Sequence, residues 1–252
     1  MASLEGKVAV ITGAAGSIGA ATARRLVADG ARVVLTDREE RDLRPLAQEL
    51  GSEGVATAAA DVVDSAAVAA AVQLAIDRFG GLDIAFANAG IFGQVAPVAD
   101  YPEDVFDRVM AVNVRGTFLL ARHALAQMRE GGSLVINSSV VGLTSDPGIC
   151  AYATSKHALV GLMRTAAKEV APRGIRVNTI HPGPLDNRFQ HAIEVEATGA
   201  PESEAAEVFD GMIPLGRHAT PDEVAAAVAF LAGPDSTFIT GATIPVDGAM
   251  SV

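Results

Sequence analysis

The sequence is poor in the residues that form disulfides, metal clusters and aromatic binding surfaces. Among its 252 residues there is one cysteine, Cys150, with no tryptophan and two tyrosines. A single cysteine excludes an internal disulfide, and no cluster with metal-ligand spacing stands out. His181 and His191 are scattered rather than paired at helical spacing. We therefore predict no metal site.

Long apolar runs and basic clusters are also missing. The longest uncharged run, residues 8–23, is interrupted by glycines and is too short to span a bilayer. Residues 1–7 contain no apolar signal region. The net charge is −11 and there is no arginine run, which disfavours nucleic acid and anionic membrane surfaces as partners. We expect a cytoplasmic protein whose acidity serves solubility.

Apolar strand-like segments alternate with helical patterns along the chain. Half of the residues are hydrophobic, which suits a large core. Strand–helix alternation at this spacing predicts an α/β fold with a parallel sheet covered by helices on both faces. The predicted strands are residues 8–12, 32–37, 55–60, 84–87, 133–137, 176–180 and 243–246. No linker rich in proline or serine divides the chain, so we predict one domain over residues 1–252.

One segment departs from this alternation. Residues 186–216 are polar, acidic and only weakly periodic, with prolines at Pro201 and Pro214. A long excursion of this kind in a compact domain is typically a lid or a binding loop. We predict a substrate-binding loop there.

A glycine-rich turn joins the first predicted strand to the first predicted helix. The segment reads Thr12-Gly13-Ala14-Ala15-Gly16-Ser17-Ile18-Gly19. Glycines permit a tight turn and a close approach to a pyrophosphate, and the N-terminus of the helix favours the phosphate charge. A plain structural turn is the alternative, but the position between strand and helix favours a dinucleotide site.

An acidic side chain ends the second predicted strand. Asp37 lies 18 residues after Gly19, where a carboxylate can accept hydrogen bonds from the adenosine ribose hydroxyls. It would repel a 2′-phosphate by about 4 kcal/mol per charge pair at ~4 Å and an effective dielectric of ~20. Arg38 would attract that phosphate, but an exposed pair contributes about 0–1 kcal/mol. We therefore predict NAD rather than NADP; the alternative is a carboxylate that caps the next helix.

Polar residues also follow the third and fourth predicted strands. Asp61-Val62 follows the third strand, where an adenine ring could lie, and Asn88-Ala89-Gly90 follows the fourth. The carboxyl ends of parallel strands face the ligand crevice. Asn88 therefore either contacts the cofactor or ties adjacent loops together, and the sequence favours neither role over the other.

Tyr152 and Lys156 are four residues apart in a predicted helix, with Ser139 13 residues before the tyrosine. Four residues are about one helical turn, so the phenol and the ammonium share a face. A free tyrosine keeps its proton until about pH 10, and a nearby positive charge lowers that pKa. A hydroxyl such as that of Ser139 could hold the substrate oxygen. The three residues predict general acid–base chemistry, whereas the same spacing also arises by chance on helix surfaces.

As a set, these residues resemble the short-chain dehydrogenase/reductase family in its single-domain branch. The resemblance covers nearly the whole chain and adds Asn113 and Pro182-Gly183 to the matching positions. It implies a Rossmann-type, doubly wound sheet of about seven parallel strands and a homotetramer or homodimer. The expected cofactor contacts are Gly13, Ser17, Ile18, Gly19, Asp37, Arg38, Asp61, Val62, Asn88, Ala89, Gly90, Tyr152, Lys156, Pro182, Gly183, Leu185 and Asn187.

The resemblance also implies catalytic roles. Tyr152 would exchange a proton with the substrate oxygen, and Lys156 would lower the pKa of the tyrosine and bind the nicotinamide ribose. Ser139 would orient the carbonyl or hydroxyl. Asn113 would bend its helix and hold a water that continues the proton relay. Hydride transfer itself belongs to the cofactor.

The chain departs from the family pattern in two segments. The commonest turn of the family has a non-glycine where Gly16 stands and a glycine where Ser17 stands. After Pro182-Gly183, the family often has a threonine that contacts the cofactor, whereas this chain has Asn187. An asparagine can still donate and accept hydrogen bonds there.

The substrate is expected to be a small secondary alcohol or ketone. We predict pocket walls from Gln94, Val141, Ile149 and Phe189, and mostly apolar walls favour a neutral cyclic, aromatic or polyol-like molecule. One rival is an NADPH-dependent 3-oxoacyl thioester reductase, which Asp37 and the acidity of the chain disfavour. Another is a non-catalytic NAD-binding regulator, which would not need the four catalytic-type residues.

Overall fold

Seven parallel strands form one sheet in the computed structural model, which describes residues 4–252. The strands are β1 Val8–Thr12, β2 Arg32–Asp37, β3 Val55–Ala59, β4 Ile84–Ala87, β5 Ser133–Asn137, β6 Arg176–Pro182 and β7 Thr243–Val246. Their order is β3-β2-β1-β4-β5-β6-β7, which confirms the predicted fold. The strand order reverses between β1 and β4, and this reversal opens a crevice at the carboxyl ends of the strands.

Helices cover both faces of the sheet. They are α1 Ser17–Ala28, α2 Glu40–Leu50, α3 Ser65–Phe79, α4 Glu103–Val109, α5 Thr117–Gln127, α6 Cys150–Val170, α7 Arg188–Thr198, α8 Glu202–Met212 and α9 Pro221–Ala232. Apolar residues of α3, α5 and α6 pack on one face, and those of α1, α2 and α9 pack on the other. Among the helices of residues 4–252, none has the length and apolarity needed to cross a bilayer.

The sixth strand is longer than the sequence predicted. His181 and Pro182 continue β6 in register with Pro245 and Val246 of β7. A proline at the end of a strand is tolerated because its missing N–H ends the ladder without leaving a buried donor unpaired. The extension places His181 inside the sheet, where it is completely buried.

The helical stretch between β4 and β5 is interrupted at its centre. A π-helical segment, Met110–Gly116, separates α4 from α5. The Thr117 hydroxyl donates to the Asn113 carbonyl at 2.7 Å. Segments of this kind are rare and often mark functional positions. The break agrees with the bend that the family resemblance implied at Asn113.

The segment predicted as a binding loop, residues 186–216, contains α7 and α8 instead of irregular chain. The Asn187 side chain caps α7 by accepting a hydrogen bond from the Gln190 N–H at 2.8 Å. Gly199 ends α7 in the left-handed conformation. The apolar period is weak because the one buried side chain of α7 is charged, that of Glu194. We call α7 and α8 the lid helices.

Close packing of the first helix on the glycine turn generates a stability prediction. A Cβ at Gly19 would lie 2.2 Å from the Gly13 carbonyl oxygen and 2.8 Å from the Ala14 Cα. Backbone atoms cannot yield as a flexible side chain does, so Gly19→Ala should lower the free energy of unfolding by about 1–3 kcal/mol in urea titrations.

The matched control is Gly161→Ala in α6, where an added Cβ meets nothing within 4 Å. This change should leave the stability unchanged or raise it by about 0.5–1 kcal/mol, because alanine is the better helix former. Equal effects of the two substitutions would contradict the close packing at Gly19.

Candidate active site

A cavity of about 550 Å³ opens at the carboxyl ends of the strands, where the strand order reverses. Most residues predicted from the sequence to contact a cofactor line it. The predicted residues in its wall are Gly13, Ser17, Ile18, Asp37, Arg38, Asp61, Val62, Asn88, Ala89, Gly90, Ser139, Tyr152, Lys156, Pro182, Gly183, Leu185, Asn187 and Phe189. Gly19 and Asn113 lie outside the wall. Gly19 packs on Gly13, and Asn113 is hydrogen-bonded to Ile91, which lines the cavity.

The glycine turn forms one side of this cavity. Gly13 has a positive φ of 65°, and a Cβ there would lie 2.9 Å from the Ala89 Cα. Glycine is therefore required at this position for both conformation and space. The N-cap residue of α1 is Gly16, so no capping side chain covers the first-turn N–H groups. These donors and the helix dipole are suited to bind a phosphate.

Asp37 stabilises the glycine turn from the end of β2. One carboxylate oxygen accepts a hydrogen bond from the Ala15 N–H at 3.1 Å, and the other accepts from the Arg38 N–H at 2.8 Å. The N-cap residue of α2 is Glu39 and not Asp37, so the helix-capping alternative is wrong. Each oxygen keeps capacity for a further hydrogen bond from a ligand hydroxyl.

Asn88 has the structural role that the sequence left open. Its amide donates to the carbonyl oxygens of Thr12 at 3.1 Å and Gly13 at 3.0 Å. Its side-chain oxygen accepts from the Asn137 amide at 2.9 Å. Asn88 therefore ties β4 to β1 and β5, and its polar side-chain atoms are used within the protein. Contact of this residue with a cofactor stays a prediction.

Tyr152 and Lys156 lie one turn apart on α6 and face the cavity. The Lys156 ammonium donates to the Asn137 carbonyl at 2.8 Å and lies 5.4 Å from the centre of the Tyr152 ring. The Phe92 ring packs against the same phenol with ring centres 5.3 Å apart. The lysine is almost completely buried at 4% exposure, which is rare for an ammonium.

The ionisation of this pair differs from the expectation. Burial raises the pKa of Tyr152 to about 12, although a hydrogen bond with Ser139 opposes the shift. Burial lowers the pKa of Lys156 to about 8. The sequence predicted a lowered tyrosine pKa, but exclusion of water penalises both charges, and the ammonium is hydrogen-bonded to Asn137. The protein's own residues therefore keep the phenol protonated at neutral pH.

Ser139 is fixed by its backbone as well as by its hydroxyl. Its carbonyl lies 2.8 Å from His181 Nδ1, and His181 Nε2 lies 2.8 Å from the Thr179 hydroxyl. Because a carbonyl only accepts, Nδ1 carries the proton. Burial lowers the pKa of His181, and a hydrogen bond to Ser139 opposes this shift. The neutral ring thus holds the strand end that carries Ser139.

Asn113 connects the loop after β4 to the helix that carries the tyrosine. Its side chain accepts from the Ile91 N–H at 2.8 Å and donates to the Ile91 carbonyl at 2.9 Å. It also donates to the Ser155 hydroxyl at 2.9 Å, which in turn donates to the Tyr152 carbonyl at 2.7 Å. Asn113 therefore positions α6. The proposed role of Asn113 in holding a water stays a prediction.

Sequence reasoning missed two supporting residues and placed three others too close to the cavity. Asn137 and His181 were not singled out for the site, although both lie at strand ends like Asn88. Their positions at the carboxyl ends of predicted strands were the feature of the sequence that could have identified them. Of the four residues predicted for the substrate pocket, Phe189 lines the cavity. The remaining three, which lie outside its wall, are Gln94, Val141 and Ile149.

Asn187 lies where the family often has threonine. Its amide donates to the Ser17 hydroxyl at 3.1 Å, and the same side chain caps α7. Ser17 and Asn187, one from each segment that departs from the family pattern, are therefore in direct contact. This hydrogen bond joins the start of the lid helices to the glycine turn.

Known proteins resemble this chain along nearly their whole length. A family model described as enoyl-(acyl carrier protein) reductase matches residues 13–251. Short-chain dehydrogenase reductase 3a of Arabidopsis thaliana is 36% identical over 99% of this chain and 96% of its own. Momilactone A synthase of Oryza sativa subsp. japonica is 39% identical over 99% and 91%. Trans-4-hydroxycyclohexanecarboxylate dehydrogenase of Sinomonas cyclohexanicum is 37% identical over 96% and 92%.

Solved structures agree with these relatives. Levodione reductase superposes with a TM-score of 0.93 at 36% identity, covering 98% of both chains. A 3-ketoacyl-(acyl-carrier-protein) reductase from Brucella melitensis, complexed with NADH, gives 0.91 at 33% identity over 99% and 100%. A blue fluorescent protein from a metagenomic library, in complex with NADPH, gives 0.89 at 36% identity over 99% of both chains. The chain belongs to the short-chain dehydrogenase/reductase family of oxidoreductases.

Proposed function

We propose that the protein is an NAD-dependent oxidoreductase that interconverts a neutral secondary alcohol and its ketone. The observation that carries the proposal is the partly buried Tyr152 phenol, which interacts with Ser139 and lies beside Lys156 in the wall of the cavity. A proton donor and a second hydroxyl side by side suit one substrate oxygen.

The residues of this site divide the work of proton transfer. Ser139 orients the substrate oxygen, and Tyr152 donates a proton to it during reduction or accepts one during oxidation. Lys156 lies over the tyrosine ring, donates to the Asn137 carbonyl and is the group whose proton is lost first as the pH rises. A nicotinamide dinucleotide, when bound, accepts or supplies the hydride.

The cavity fits a dinucleotide. Gly13 and Gly19 let the turn pack closely on its own backbone and on Ala89, and the uncapped start of α1 offers N–H donors to a pyrophosphate. Asp37 lines the same cavity and is held in place by the backbone of the glycine turn. We propose NAD because this fixed carboxylate would repel a 2′-phosphate more strongly than the exposed Arg38 would attract it.

A neutral ring-bearing substrate is the class we propose. Phe92 packs on the tyrosine, and Phe189 lines the cavity from the first lid helix. Apolar walls of this kind favour uncharged, compact molecules. The relative from Sinomonas cyclohexanicum is named a trans-4-hydroxycyclohexanecarboxylate dehydrogenase, and this name supports a substrate whose alcohol lies on a ring.

Reduction of a 3-oxoacyl thioester is the second candidate. The NADH-bound 3-ketoacyl-(acyl-carrier-protein) reductase shows that a neighbour of this fold with that name also binds NADH, so preference for NADH alone does not separate the two functions. The net charge of −11 disfavours docking of an acidic carrier protein. A binding protein without turnover would have no need of Ser139, Tyr152 and Lys156 together.

The proposed proton donor generates a prediction about turnover. With a panel of cyclic ketones, secondary alcohols, polyols and acyl thioesters, the protein should show NAD-linked turnover by absorbance of the reduced nicotinamide. Tyr152→Phe should lower kcat by about 10²–10⁴-fold, because the proton donor is lost. Binding of NADH, followed by fluorescence, should be retained.

The control is Tyr101→Phe, at the other tyrosine of the chain. Tyr101 lies outside the cavity wall, and its hydroxyl accepts from the Gln94 N–H at 3.3 Å. Its kcat should stay within a few-fold of the original. Substantial activity in Tyr152→Phe would overturn the assignment. Turnover of acyl thioesters alone would establish the second candidate.

The pH dependence follows from the two shifted groups. Alcohol oxidation needs a proton acceptor, and burial lowers the pKa of Lys156 to about 8 while it raises that of Tyr152 to about 12. The kcat/KM for oxidation should therefore rise with pH as the pair loses its first proton near pH 8. Reduction needs the protonated phenol and should persist across this range. In Lys156→Met, the rise in oxidation should move towards the pKa of the phenol, and an unchanged profile would refute the coupling.

The choice between NAD and NADP depends on Asp37. Asp37→Ala should lower the ratio of kcat/KM for NAD over NADP by at least about tenfold, because loss of even a third of the ~4 kcal/mol repulsion changes an affinity about tenfold. Asp42→Ala, which removes another carboxylate from the wall of the same cavity, is the matched control and should change the ratio little. Equal effects would mean that total charge, and not Asp37, sets the preference.

A further inference from the structure

Histidine and carboxylate side chains meet on the lid helices, away from the tyrosine and lysine. His191 and Glu194 lie one turn apart on α7, and His218 comes from the segment between α8 and α9. Each of these three residues offers one side-chain atom that could ligate a metal ion, and the three atoms lie within 4.8 Å of one another. Nothing in the proposed reaction uses them.

The carboxylate in this cluster is incompletely paired. Glu194 has no solvent exposure, and its Oε1 accepts from the Gln190 amide at 2.9 Å and lies 2.6 Å from His218 Nε2. Its Oε2 is buried and has no hydrogen-bond partner among residues 4–252. A buried carboxylate oxygen without a partner is strongly unfavourable. A cation bound at this point would remove the deficit.

Further carboxylates surround the two imidazole rings. His218 Nδ1 lies 2.7 Å from an Asp210 oxygen. The His191 nitrogens lie 3.3 Å from Glu202 and 3.4 Å from Asp186. In protein metal sites, a ligating histidine typically donates its second N–H to a carboxylate in this way, which fixes the ring and raises its basicity. The outer partners of such a site are thus already in place.

We propose that the lid binds one divalent transition-metal ion, of which Zn²⁺ is the best match, through His191, Glu194 and His218. Two imidazoles and one carboxylate form a ligand set that zinc uses with a fourth position open to water. Mg²⁺ and Ca²⁺ prefer oxygen-only sites. Tetrahedral ligands at ~2.05 Å from zinc lie about 3.3 Å apart, so the partly exposed His191 ring would turn towards the other two ligands to complete the set.

A proton on His218 is the competing occupant of this cluster. Burial lowers the pKa of His218, but hydrogen bonds to Glu194 and Asp210 outweigh that effect and raise it. A protonated ring pairs with Glu194 Oε1 and leaves Oε2 unsatisfied. A dication between the carboxylate and both rings would compensate the charge of Glu194 more fully than one proton does, and it would also offset the three further carboxylates nearby.

The sequence pattern explains why this site was not predicted. His191 and Glu194 have the i, i+3 spacing of neighbours on one helix face, but His218 is 24 residues from Glu194 in sequence. The histidines look scattered until α7 and α8 fold back on each other. The metal would then join the first lid helix to the segment that leads into α9.

Calorimetric titration tests the proposal directly. Full-length protein treated with a chelator, then dialysed and titrated with ZnCl₂ at mildly alkaline pH, should bind one Zn²⁺ per chain and unfold at a higher temperature. Co²⁺ in the same position should give the intense visible absorption of a tetrahedral complex. His191→Ala, at a partly exposed side chain, should fold normally and lose this binding.

Three further variants separate a built site from surface binding. Glu194→Gln keeps the shape of the side chain and should also lose the tight Zn²⁺. Asp210→Ala should weaken the affinity by about 10–100-fold, as expected for loss of an outer carboxylate. His123→Ala removes a partly exposed histidine of α5 outside the cluster and should bind as the unchanged protein does.

Two results would overturn the proposal. One is the absence of stoichiometric Zn²⁺ binding to the unchanged protein. The other is retention of full affinity in both His191→Ala and Glu194→Gln, which would place the ion elsewhere on the surface. Because these readouts are binding and thermal unfolding, they are independent of whether the protein reduces the substrates tested for its proposed function.

Discussion

One chain of hydrogen bonds crosses the carboxyl ends of three strands, and the geometry of the site depends on it. The Asn88 amide holds the carbonyls of Thr12 and Gly13 at the end of β1, and its oxygen receives the Asn137 amide at the end of β5. The Asn137 carbonyl then receives the Lys156 ammonium from α6. The glycine turn and the catalytic helix are thereby fixed to each other through backbone and amide groups. Such a relay resists displacement because each lost bond would leave a buried polar group unpaired.

The low exposure of the site shifts the pKa values of its two ionisable groups, and it also lowers the stability of the fold because an ammonium is buried. Removing water from around Lys156 and Tyr152 disfavours the charged form of each, so the pKa of the tyrosine rises to about 12 and that of the lysine falls to about 8. As the pH rises, the lysine therefore becomes neutral while the phenol is still protonated. The apolar contacts of α6 with the sheet supply the free energy that keeps an ammonium in this position. Asn113 and His181 add rigidity without touching the cavity, since they fix the backbone that carries the tyrosine and the serine.

The sequence predicted the strands and most of the cavity wall because both follow from local rules. Buried parallel strands are continuous apolar runs, and residues just after them must meet at one edge of the sheet. The ionisation of Tyr152 was predicted in the wrong direction because burial depends on α6 packing and on Phe92, which spacing does not reveal. The helices of residues 186–216 were missed because α7 buries the charged Glu194 and α8 buries the small Ala205, so the apolar period that indicates a helix is weak.

The small number of buried residues in the lid helices has a physical consequence. Glu194 is the one buried residue of α7 and Ala205 the one buried residue of α8, so little apolar area holds these helices against the body. Segments with few buried apolar contacts open at low free energy. The cohesion of the lid therefore depends on the carboxylate–imidazole contacts of Glu194 and His218. Gln190 lines the cavity and also donates to Glu194, so occupancy of the cluster and the position of the cavity wall are linked through one side chain.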